Sequence, residues 1–395
     1  MQSKETQELI FQEAVRWRRA FHQYPELSLK EDHTRGLIVG ALQEMGLEPQ
    51  TFQNHNGVCA IIKGQPGSAV IGVRADMDAL PMDEKTDCEF KSHIPGVMHA
   101  CGHDAHMAIA LGVAKTLSLS RENWRGAVKM IFQPAEELAP TGGAHLVMAD
   151  GVLENPKVDA IFGLHVWPDV PFGAIGIRLG GLMGSSDRLT IEVKGLASHA
   201  GEPHKGVDAI SVAADIVKGM QQIMSRQKNP VESGTISIGT IHGGERYNVV
   251  AGKVVMEGTV RSHNEALRQS LPGKITRMAE GIARAFGAEA KVDYRPGFPV
   301  LSISKELFNV VVDAATEAIG RDNVLTDVNP SLGAEDFANY LTKIPGAFFW
   351  LGCQSAEQKY PIHNPKFNID ENALKVGIQV MTAVVSNALV KYNRG

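Results

Sequence analysis

Short apolar runs that alternate with helical segments constrain the fold of this chain more than any other feature. The runs at 58–63, 69–74 and 127–132 are short and have glycine or proline close by, as buried strands do. Segments with helical periodicity, such as 104–119, lie between them. Strands that alternate with helices predict an α/β layer architecture with a largely parallel sheet flanked by helices. The same criteria predict helices at 7–22, 31–45, 143–150, 304–319, 334–342 and 371–391, and strands at 160–164, 175–179 and 346–352.

A second pattern begins near residue 185, where apolar and polar residues alternate strictly. Leu189, Ile191 and Val193 follow this period of two, and residues 254–260 follow it again. Two amphipathic helical segments accompany these strands, and the order β-α-β-β-α-β is typical of a ferredoxin-like α+β module. The helices are expected at 206–225 and 264–286, the inserted domain at 185–295, and the discontinuous α/β domain around it at 1–184 and 296–395.

Length and composition limit the classes of function. The 395 residues are about twice the usual span of one domain. Thirty-nine basic and 44 acidic residues, without a Lys/Arg stripe, make nucleic acid an unexpected partner. No window reaches the roughly 18 uninterrupted apolar residues of a membrane span, and residues 1–21 lack the apolar region of an export signal. Four cysteines without paired spacing fit a reducing compartment, so we expect a cytoplasmic protein without membrane partners.

The most specific segment reads HACGHDAH, at residues 99–106, just before a predicted helix. Cys101 and His103 are two residues apart, so a thiolate and an imidazole can face one cation while Gly102 lets the loop turn tightly. The alternative is a polar loop that happens to be rich in histidine. One cysteine, three histidines and one aspartate within eight residues argue against that alternative. The segment predicts a metal site without naming a reaction.

Carboxylates follow two of the apolar strands. Asp76 and Asp78 lie at a strand end, where α/β sheets place their sites, and a period of two puts both on one side. Either could bind a metal, orient a ligating imidazole or serve only in a turn. Glu136 and Glu137 follow the next strand, and a buried carboxylate pair is relieved when one ligates a cation and the other acts as a base. A solvated pair at a helix start is the alternative.

Two further histidines complete a possible ligand set. His165 follows the apolar run at 160–164, and His363 lies in the segment YPIHNP near the end of the chain. Alone, each would be a structural histidine more often than a ligand. With Cys101, His103 and one carboxylate they make five protein ligands, about what two cations sharing a water require.

Three residues of the insert are candidates for contact with a substrate. His199 lies close to Gly201 and is poorly explained as a core residue. Asn248 and Arg261 form a second pair, in which Arg261 lies on a predicted strand and can fork onto a substrate carboxylate. Taken singly, each residue is explained equally well by a structural role.

Together these motifs resemble a family of metal-dependent aminoacylases and carboxypeptidases. The family includes hippurate hydrolase, the plant auxin-conjugate hydrolases and N-acetyldiaminopimelate deacetylase, and more distantly glutamate carboxypeptidase and succinyl-diaminopimelate desuccinylase. The resemblance extends over essentially the whole chain, from Arg18-Arg19 with His22 to His363-Asn364-Pro365. It implies a zinc-peptidase-like catalytic domain with an inserted lid and dimerisation domain.

The resemblance also implies a role for each motif. Glu136 matches the general base, and Asp78 matches a residue that orients a ligand. Distant members of the family have a histidine at the position of Asp76. Because this sequence departs from them there, Asp76 is grouped with Asp78 among the residues that surround the ligands. The implied metal ligands are Cys101, His103, Glu137, His165 and His363, and Gly333-Ala334-Glu335-Asp336-Phe337 matches a further motif around the site.

The insert is implied to complete the active site of a second subunit. The family histidine that matches His199 reaches across a homodimer and helps to polarise the scissile carbonyl. The residues that match Asn248 and Arg261 hold the substrate. We therefore expect a homodimer or a higher homo-oligomer.

The implied reaction is hydrolysis of the amide bond of N-acyl-L-amino acids, such as acetyl or benzoyl conjugates. Glu136 would take a proton from a water activated by two divalent cations, zinc or manganese first and cobalt or nickel next. Dipeptides or other small peptides are the alternative substrates. A non-catalytic metal-binding protein is a further alternative, and the presence of every ligand and of the base argues against it.

Overall fold

The computed structural model describes residues 3–354 and 360–393. Its helices are α1 (Lys4–Gln23), α2 (Asp32–Glu44), α3 (His103–Ser118), α4 (Ala144–Ala149), α5 (Ala209–Arg226), α6 (Glu265–Ala285), α7 (Lys305–Ile319), α8 (Ala338–Leu341) and α9 (Asn372–Tyr392). Its strands are β1 (Gln50–Thr51), β2 (Val58–Lys63), β3 (Gln65–Asp76), β4 (Arg125–Gln133), β5 (Ala160–Trp167), β6 (Ile175–Gly176), β7 (Gly180–Met183), β8 (Ser186–Lys194), β9 (Ser198–His199), β10 (Gly234–Gly243), β11 (Val249–Val250), β12 (Lys253–Ser262), β13 (Glu289–Phe298), β14 (Leu301–Ile303), β15 (Val324–Leu325) and β16 (Gly346–Gly352).

The chain divides into two compact units. The predicted insert, residues 185–295, lies within the smaller unit, and its limits as a domain stay a prediction. The larger unit contains Met1–Gly180, Ser302–Asn329 and Asp336–Gly395, and the smaller contains Gly181–Leu301 and Pro330–Glu335.

An eight-stranded sheet forms the centre of the larger unit. Its strand order is β1-β2-β4-β3-β5-β16-β6-β15. The pairs β3–β4, β3–β5, β5–β16 and β6–β15 are parallel, whereas β1–β2, β2–β4 and β6–β16 are antiparallel. Strands β5 and β16 are buried almost throughout, as parallel strands covered by helices on both faces must be. The predicted α/β fold with a largely parallel sheet is confirmed.

The carboxyl ends of the central strands gather polar residues at one edge of the sheet. β3 ends at Asp76, which is opposite Gln133 at the end of parallel β4. His165, near the end of β5, is opposite Trp350 of β16. Because parallel neighbours end at the same edge, the residues that follow β3, β4 and β5 meet there, as they do in other open α/β sheets.

The smaller unit has the predicted β-α-β-β-α-β order, formed by β8, α5, β10, β12, α6 and β13. Its sheet has the strand order β10-β12-β8-β13, and each neighbouring pair is antiparallel. The inward residues Leu189, Ile191 and Val193 are inaccessible and share a core with the apolar faces of α5 and α6. The ferredoxin-like α+β arrangement is therefore confirmed.

Two predicted elements are shorter than expected. The helix predicted at 334–342 begins only at Ala338, because Asp336 is held in tertiary hydrogen bonds to the backbone of Gly143 and Ala144. The strand predicted at 175–179 is limited to Ile175–Gly176, where it pairs with β15 and β16.

Helix α9 is long and apolar enough to cross a membrane by length and composition alone. More than half of its apolar window is buried inside the protein, including Leu374, Val384 and Leu389. Burial of this kind is typical of a core helix. Within residues 3–354 and 360–393, no other helix meets the same criteria.

A buried chain of charges connects α1 to the first turn of α3. His22 Nδ1 lies 2.8 Å from Asp104 Oδ2, its Nε2 lies 3.2 Å from Glu84 Oε1, and Arg18 Nε donates to Asp104 Oδ2 at 3.1 Å. Burial alone would lower the pKa of His22, but Asp104 and Glu84 raise it well above its usual range. Burial alone would raise the pKa of Glu84, but the hydrogen bond and charge of His22 lower it to about 2. Helix α3, which begins at His103, is thereby fixed against α1.

The variant Glu84→Gln should be less stable than the wild type at neutral pH. At acid pH the two proteins should have nearly the same stability. The folded-state pKa is depressed from 4.5 to about 2, so the charge stabilises the fold above pH 4.5 and loses this effect as the pH falls toward 2. We expect the variant to lose about 3 kcal/mol of unfolding free energy at pH 7. Denaturant titrations across pH should show the difference shrinking below pH 4.5; a difference independent of pH would contradict this account.

Candidate metal centre

The loop before α3 turns sharply at Gly102. This residue has a φ of +89°, in the left-handed region, and an added Cβ would lie 2.4 Å from Cγ2 of Val166. Both the backbone conformation and the close approach therefore require glycine. The turn places the thiol of Cys101 and the imidazole of His103 within reach of one ion.

The five predicted ligands come together at the carboxyl edge of the large sheet. Cys101 Sγ lies 3.3 Å from Nε2 of His165 and 3.3 Å from Nε2 of His363. Glu137 Oε1 lies 3.2 Å from His363 Nε2 and 4.0 Å from His103 Nε2. The cluster is buried except at its rim, where 49% of the His363 side chain is exposed. A solvent-facing rim is where a substrate could enter.

Two overlapping groups of donor atoms consist of predicted ligands, and a further group joins His103 to Glu136 and Glu137. The donor atoms of Cys101, His103 and His165 lie within 4.8 Å of one another, and so do those of Cys101, Glu137 and His363. These residues would hold two cations, with Cys101 common to both groups of donors.

The imidazole of His165 is oriented by its own strand. Its Nδ1 donates to the backbone oxygen of Val166 at 2.7 Å, so Nε2 carries the lone pair that faces Cys101. Burial and the nearby His106 lower the pKa of His165 well below its usual range. The ring is therefore neutral, which is the form that binds a metal.

His103 lies between two aspartates. Its Nδ1 is 3.5 Å from Asp78 Oδ1, and its Nε2 is 3.8 Å from Asp76 Oδ2. Burial alone would lower the pKa of His103, but the charge of Asp76, and then Asp78, raise it to about 10. A cation that binds Nε2 must therefore displace a proton.

The carboxylate of Asp76 has close partners other than the predicted ligands. Arg74 Nη1 donates to it at 2.7 Å and His106 Nδ1 at 2.6 Å, while His106 Nε2 accepts from the backbone of Val166. These contacts favour a supporting role for Asp76 around the ligands. His106 was given no role from the sequence, although its position three residues after His103 on α3 places it on the same helix face.

Asp78 holds the turn that carries the two glutamates. Its Oδ1 accepts the N–H of Glu136 and its Oδ2 the N–H of Glu137, both at 3.0 Å, and Ser28 Oγ donates to Oδ2 at 2.6 Å. Burial opposes the charged form, but His103, and then the hydrogen bonds from Ser28 and the N–H of Glu137, lower the pKa of Asp78. A charged Asp78 thus lies between His103 and the glutamate turn. Sequence reasoning missed Ser28, which carries no motif signal of its own.

The predicted general base, Glu136, faces the backbone of a second motif. The N–H of Asp336 lies 3.4 Å from Glu136 Oε1. The carboxylate of Asp336 accepts from Arg74 Nη2 at 2.7 Å and from the N–H groups of Gly143 and Ala144 at 2.9 Å. These hydrogen bonds fix Asp336, and they thereby hold its backbone N–H against the carboxylate of Glu136.

In the smaller unit, the structure brings two of the three substrate candidates together. His199 is exposed on β9, and the N–H of Ala200 donates to the backbone oxygen of Asn248 at 3.1 Å. Arg261 is half-buried on β12, in a different sheet, where its Nη1 donates to the oxygen of Leu332 at 2.9 Å.

Several buried polar atoms of the cluster have no hydrogen-bond partner among the described residues. They include both ring nitrogens of His103. A buried polar atom without a partner costs about 1–3 kcal/mol, and a cation would supply the partner. Thiolate, imidazole and carboxylate are also the donors that zinc and related ions take. The residues present therefore fit a two-cation centre.

Comparison with known protein families matches residues 72–387 to peptidase family M20/M25/M40. The chain belongs to this family. The resemblance drawn from its motifs is therefore confirmed.

Similar proteins match along nearly the full length of the chain. The N-acetylcysteine deacetylase of Bacillus subtilis (strain 168) is 41% identical over 366 residues, which cover 92% of this chain and 94% of that protein. Thermostable carboxypeptidase 1 of Saccharolobus solfataricus is 36% identical over 367 residues, 92% of each chain. The crystal structure of Bacillus subtilis YXEP, a dinuclear metal binding peptidase from the M20 family, has a TM-score of 0.85 and 36% identity and covers 97% of this chain and 98% of its own.

Removing the shared thiol should affect both cations. We expect Cys101→Ala to lower the bound metal from about two ions per chain to fewer than one, and His165→Ala, which belongs to one group, to retain about one. Plasma mass spectrometry after dialysis measures this content. Cys353→Ala is the matched control, because Cys353 is also buried but lies outside the cluster. Full metal content in the Cys101 variant would rule out the shared position.

Proposed function

We propose that this protein is a binuclear metal-dependent amidohydrolase. It hydrolyses the amide bond of N-acyl-L-amino acids to a carboxylate and a free amino acid. One observation carries the proposal: Glu136 is adjacent to the ligand candidate Glu137 in a turn that Asp78 holds against the cluster. A proton acceptor beside a two-cation centre is what metal-assisted hydrolysis requires.

The family and the named relatives support this reaction class. Peptidases and deacetylases both hydrolyse an amide bond, and the deacetylase is the more similar of the two relatives described above. An N-acyl amino acid is therefore favoured as the substrate. A small peptide is the alternative, and it would fit the carboxypeptidase relative.

When bound, two divalent cations would polarise the substrate carbonyl and lower the pKa of a water toward neutrality. Glu136 accepts the proton of the attacking water and returns it to the leaving amine. His199 Nδ1 accepts the N–H of Gly201 at 3.0 Å, so the neutral ring carries its proton on Nε2 and can donate it to the carbonyl oxygen. Asn248 and Arg261 bind the substrate, with Arg261 paired to its carboxylate.

The mixture of thiolate, imidazole and carboxylate favours zinc or manganese, with cobalt or nickel as alternatives. We place the protein in the cytoplasm and propose a homodimer or higher homo-oligomer, in which the smaller unit acts as lid and dimerisation domain. The metal ligands are Cys101, His103, Glu137, His165 and His363, with Asp76 and Asp78 supporting them.

Glu136→Gln should abolish turnover without loss of metal. The amide keeps the size of the side chain but cannot accept the proton, so we expect kcat to fall by at least about 10²-fold while metal content stays at the wild-type level. The assay compares acetyl-, benzoyl- and indoleacetyl-amino acids with dipeptides.

Retained activity in this variant would remove Glu136 as the base. In the wild-type enzyme, faster turnover of dipeptides would favour the peptidase alternative. No turnover of any substrate by a fully metal-loaded protein would favour the non-catalytic alternative.

The proposed action of His199 in a partner subunit can be tested by mixing two inactive variants. His199→Ala and Glu136→Gln chains, co-expressed with different tags, form mixed dimers in which one site combines an intact Glu136 with an intact His199 from the other chain. We expect the purified mixed dimer to recover activity that neither parent has. An inactive mixed dimer would show that both residues act within one chain.

A further inference from the structure

Glu31 has a fully buried carboxylate and lies outside the sequence motifs described above. It immediately precedes α2, at the position whose side chain usually caps the helix, yet it makes no such bond. Glu26 performs that capping instead, because it accepts the N–H groups of His33 at 3.1 Å and Thr34 at 2.8 Å. The carboxylate of Glu31 is therefore available for contacts elsewhere.

One oxygen of Glu31 holds two strained turns at once. Its Oε1 accepts the N–H of Leu29 and the N–H of Ala135, both at 2.9 Å. These residues have φ values of +64° and +57°, although neither is glycine. Backbone of this kind costs on the order of 1–3 kcal/mol per residue and persists only where surrounding contacts hold it. Glu31 supplies such a contact to both.

The second of these turns leads directly into the proposed catalytic pair. Three consecutive backbone N–H groups, those of Ala135, Glu136 and Glu137, donate to buried carboxylates. Glu31 accepts the first and Asp78 accepts the other two. The directions in which the two glutamate side chains leave the backbone therefore depend on both carboxylates.

We propose that Glu31 is a positioning residue: by holding the left-handed Ala135 turn it directs Glu136 and Glu137 toward the cluster. The inference rests on the proposed function, in which Glu136 is the base and Glu137 a ligand. Glu31 acts through its hydrogen bond to the backbone N–H of Ala135. Its second oxygen accepts from Asn56 Nδ2 at 3.3 Å, which fixes the carboxylate plane.

Glu31 can hold both turns because its Oε1 reaches the N–H groups of Leu29 and Ala135. The position of this acceptor oxygen matters more than the charge of the carboxylate. Burial and the nearby Asp78 raise the pKa of Glu31 to about 7, and Oε1 can accept from both N–H groups in either form of the acid. Glutamine preserves that oxygen at the same distance. Aspartate preserves the charge but is one methylene too short to reach both groups.

Four variants separate these effects. Glu31→Gln should keep kcat within about threefold of wild type, whereas Glu31→Asp and Glu31→Ala should lower kcat about 10²-fold, with KM changed less than about threefold. Glu26→Ala is the matched control, since it removes a half-buried carboxylate that caps the same helix and whose side-chain hydrogen bonds go to His33 and Thr34. It should lower the melting temperature and leave kcat at the wild-type level.

A second readout does not depend on turnover. Because Glu137 belongs to the same turn, metal affinity measured by competition with a chromophoric chelator should fall about 10–100-fold in Glu31→Asp and Glu31→Ala only. Amide hydrogen exchange of the peptide that contains Ala135 to Glu137 should accelerate in the same two variants. If the wild type hydrolyses no substrate, the proposed function fails. The metal affinities of the Glu31 variants, relative to wild type, would still test the positioning role of Glu31.

Wild-type kcat and metal affinity in Glu31→Asp or Glu31→Ala would overturn the proposal. An equal loss of kcat in all four variants, including Glu26→Ala, would also overturn it, because general destabilisation would then account for the effect. Should Glu31→Ala not fold, the contrast between Glu31→Gln and Glu31→Asp decides the question.

Discussion

The carboxylate of Asp78 connects the two halves of the candidate metal centre. One oxygen faces His103 and accepts the N–H of Glu136, and the other accepts the N–H of Glu137 and the hydroxyl of Ser28. A buried carboxylate is unfavourable unless it receives several hydrogen bonds. For Asp78, two of these hydrogen bonds come from the N–H groups of Glu136 and Glu137, in the turn that carries both glutamates. The interaction that makes the charge tolerable therefore also sets the distance between the Cys101 loop and the glutamate pair.

Further charges are compensated in the same way around this contact. Arg74 lies between the carboxylates of Asp76 and Asp336, and each aspartate also binds a backbone segment or an imidazole of the site. Farther from the cluster, His22 and Asp104 fix the start of α3 to α1. Removing one member of a buried ion pair leaves the other uncompensated, which is more costly than the pair is favourable. The geometry of the centre thus depends on ion pairs and hydrogen bonds among residues outside the predicted ligand set.

Glu136 and Glu137 have different close partners, although an oxygen of each also lies within 4.8 Å of a ring nitrogen of His103. Glu137 Oε1 lies among the ring nitrogens of His363 and His103, which suits a ligand. Glu136 Oε1 faces the N–H of Asp336, which helps to orient the carboxylate. Residue type alone does not separate these roles. What the structure adds is the turn itself, whose three backbone N–H groups are accepted by Glu31 and Asp78.

Local sequence signals determined the strands β2 and β16 to the residue, the α/β class and the Cys101–His103 pair, because periodicity and the spacing of these two residues are short-range properties. Tertiary structure alone decided which supporting residues meet them. His106, Ser28 and Glu31 bind partners that are 30, 50 and 104 positions away in sequence. The helix predicted at 334–342 was shortened for the same reason, since Asp336 bonds to residues nearly 200 positions away. Hydrogen bonds over such separations form only when packing brings the elements together, and no local pattern in the chain specifies them.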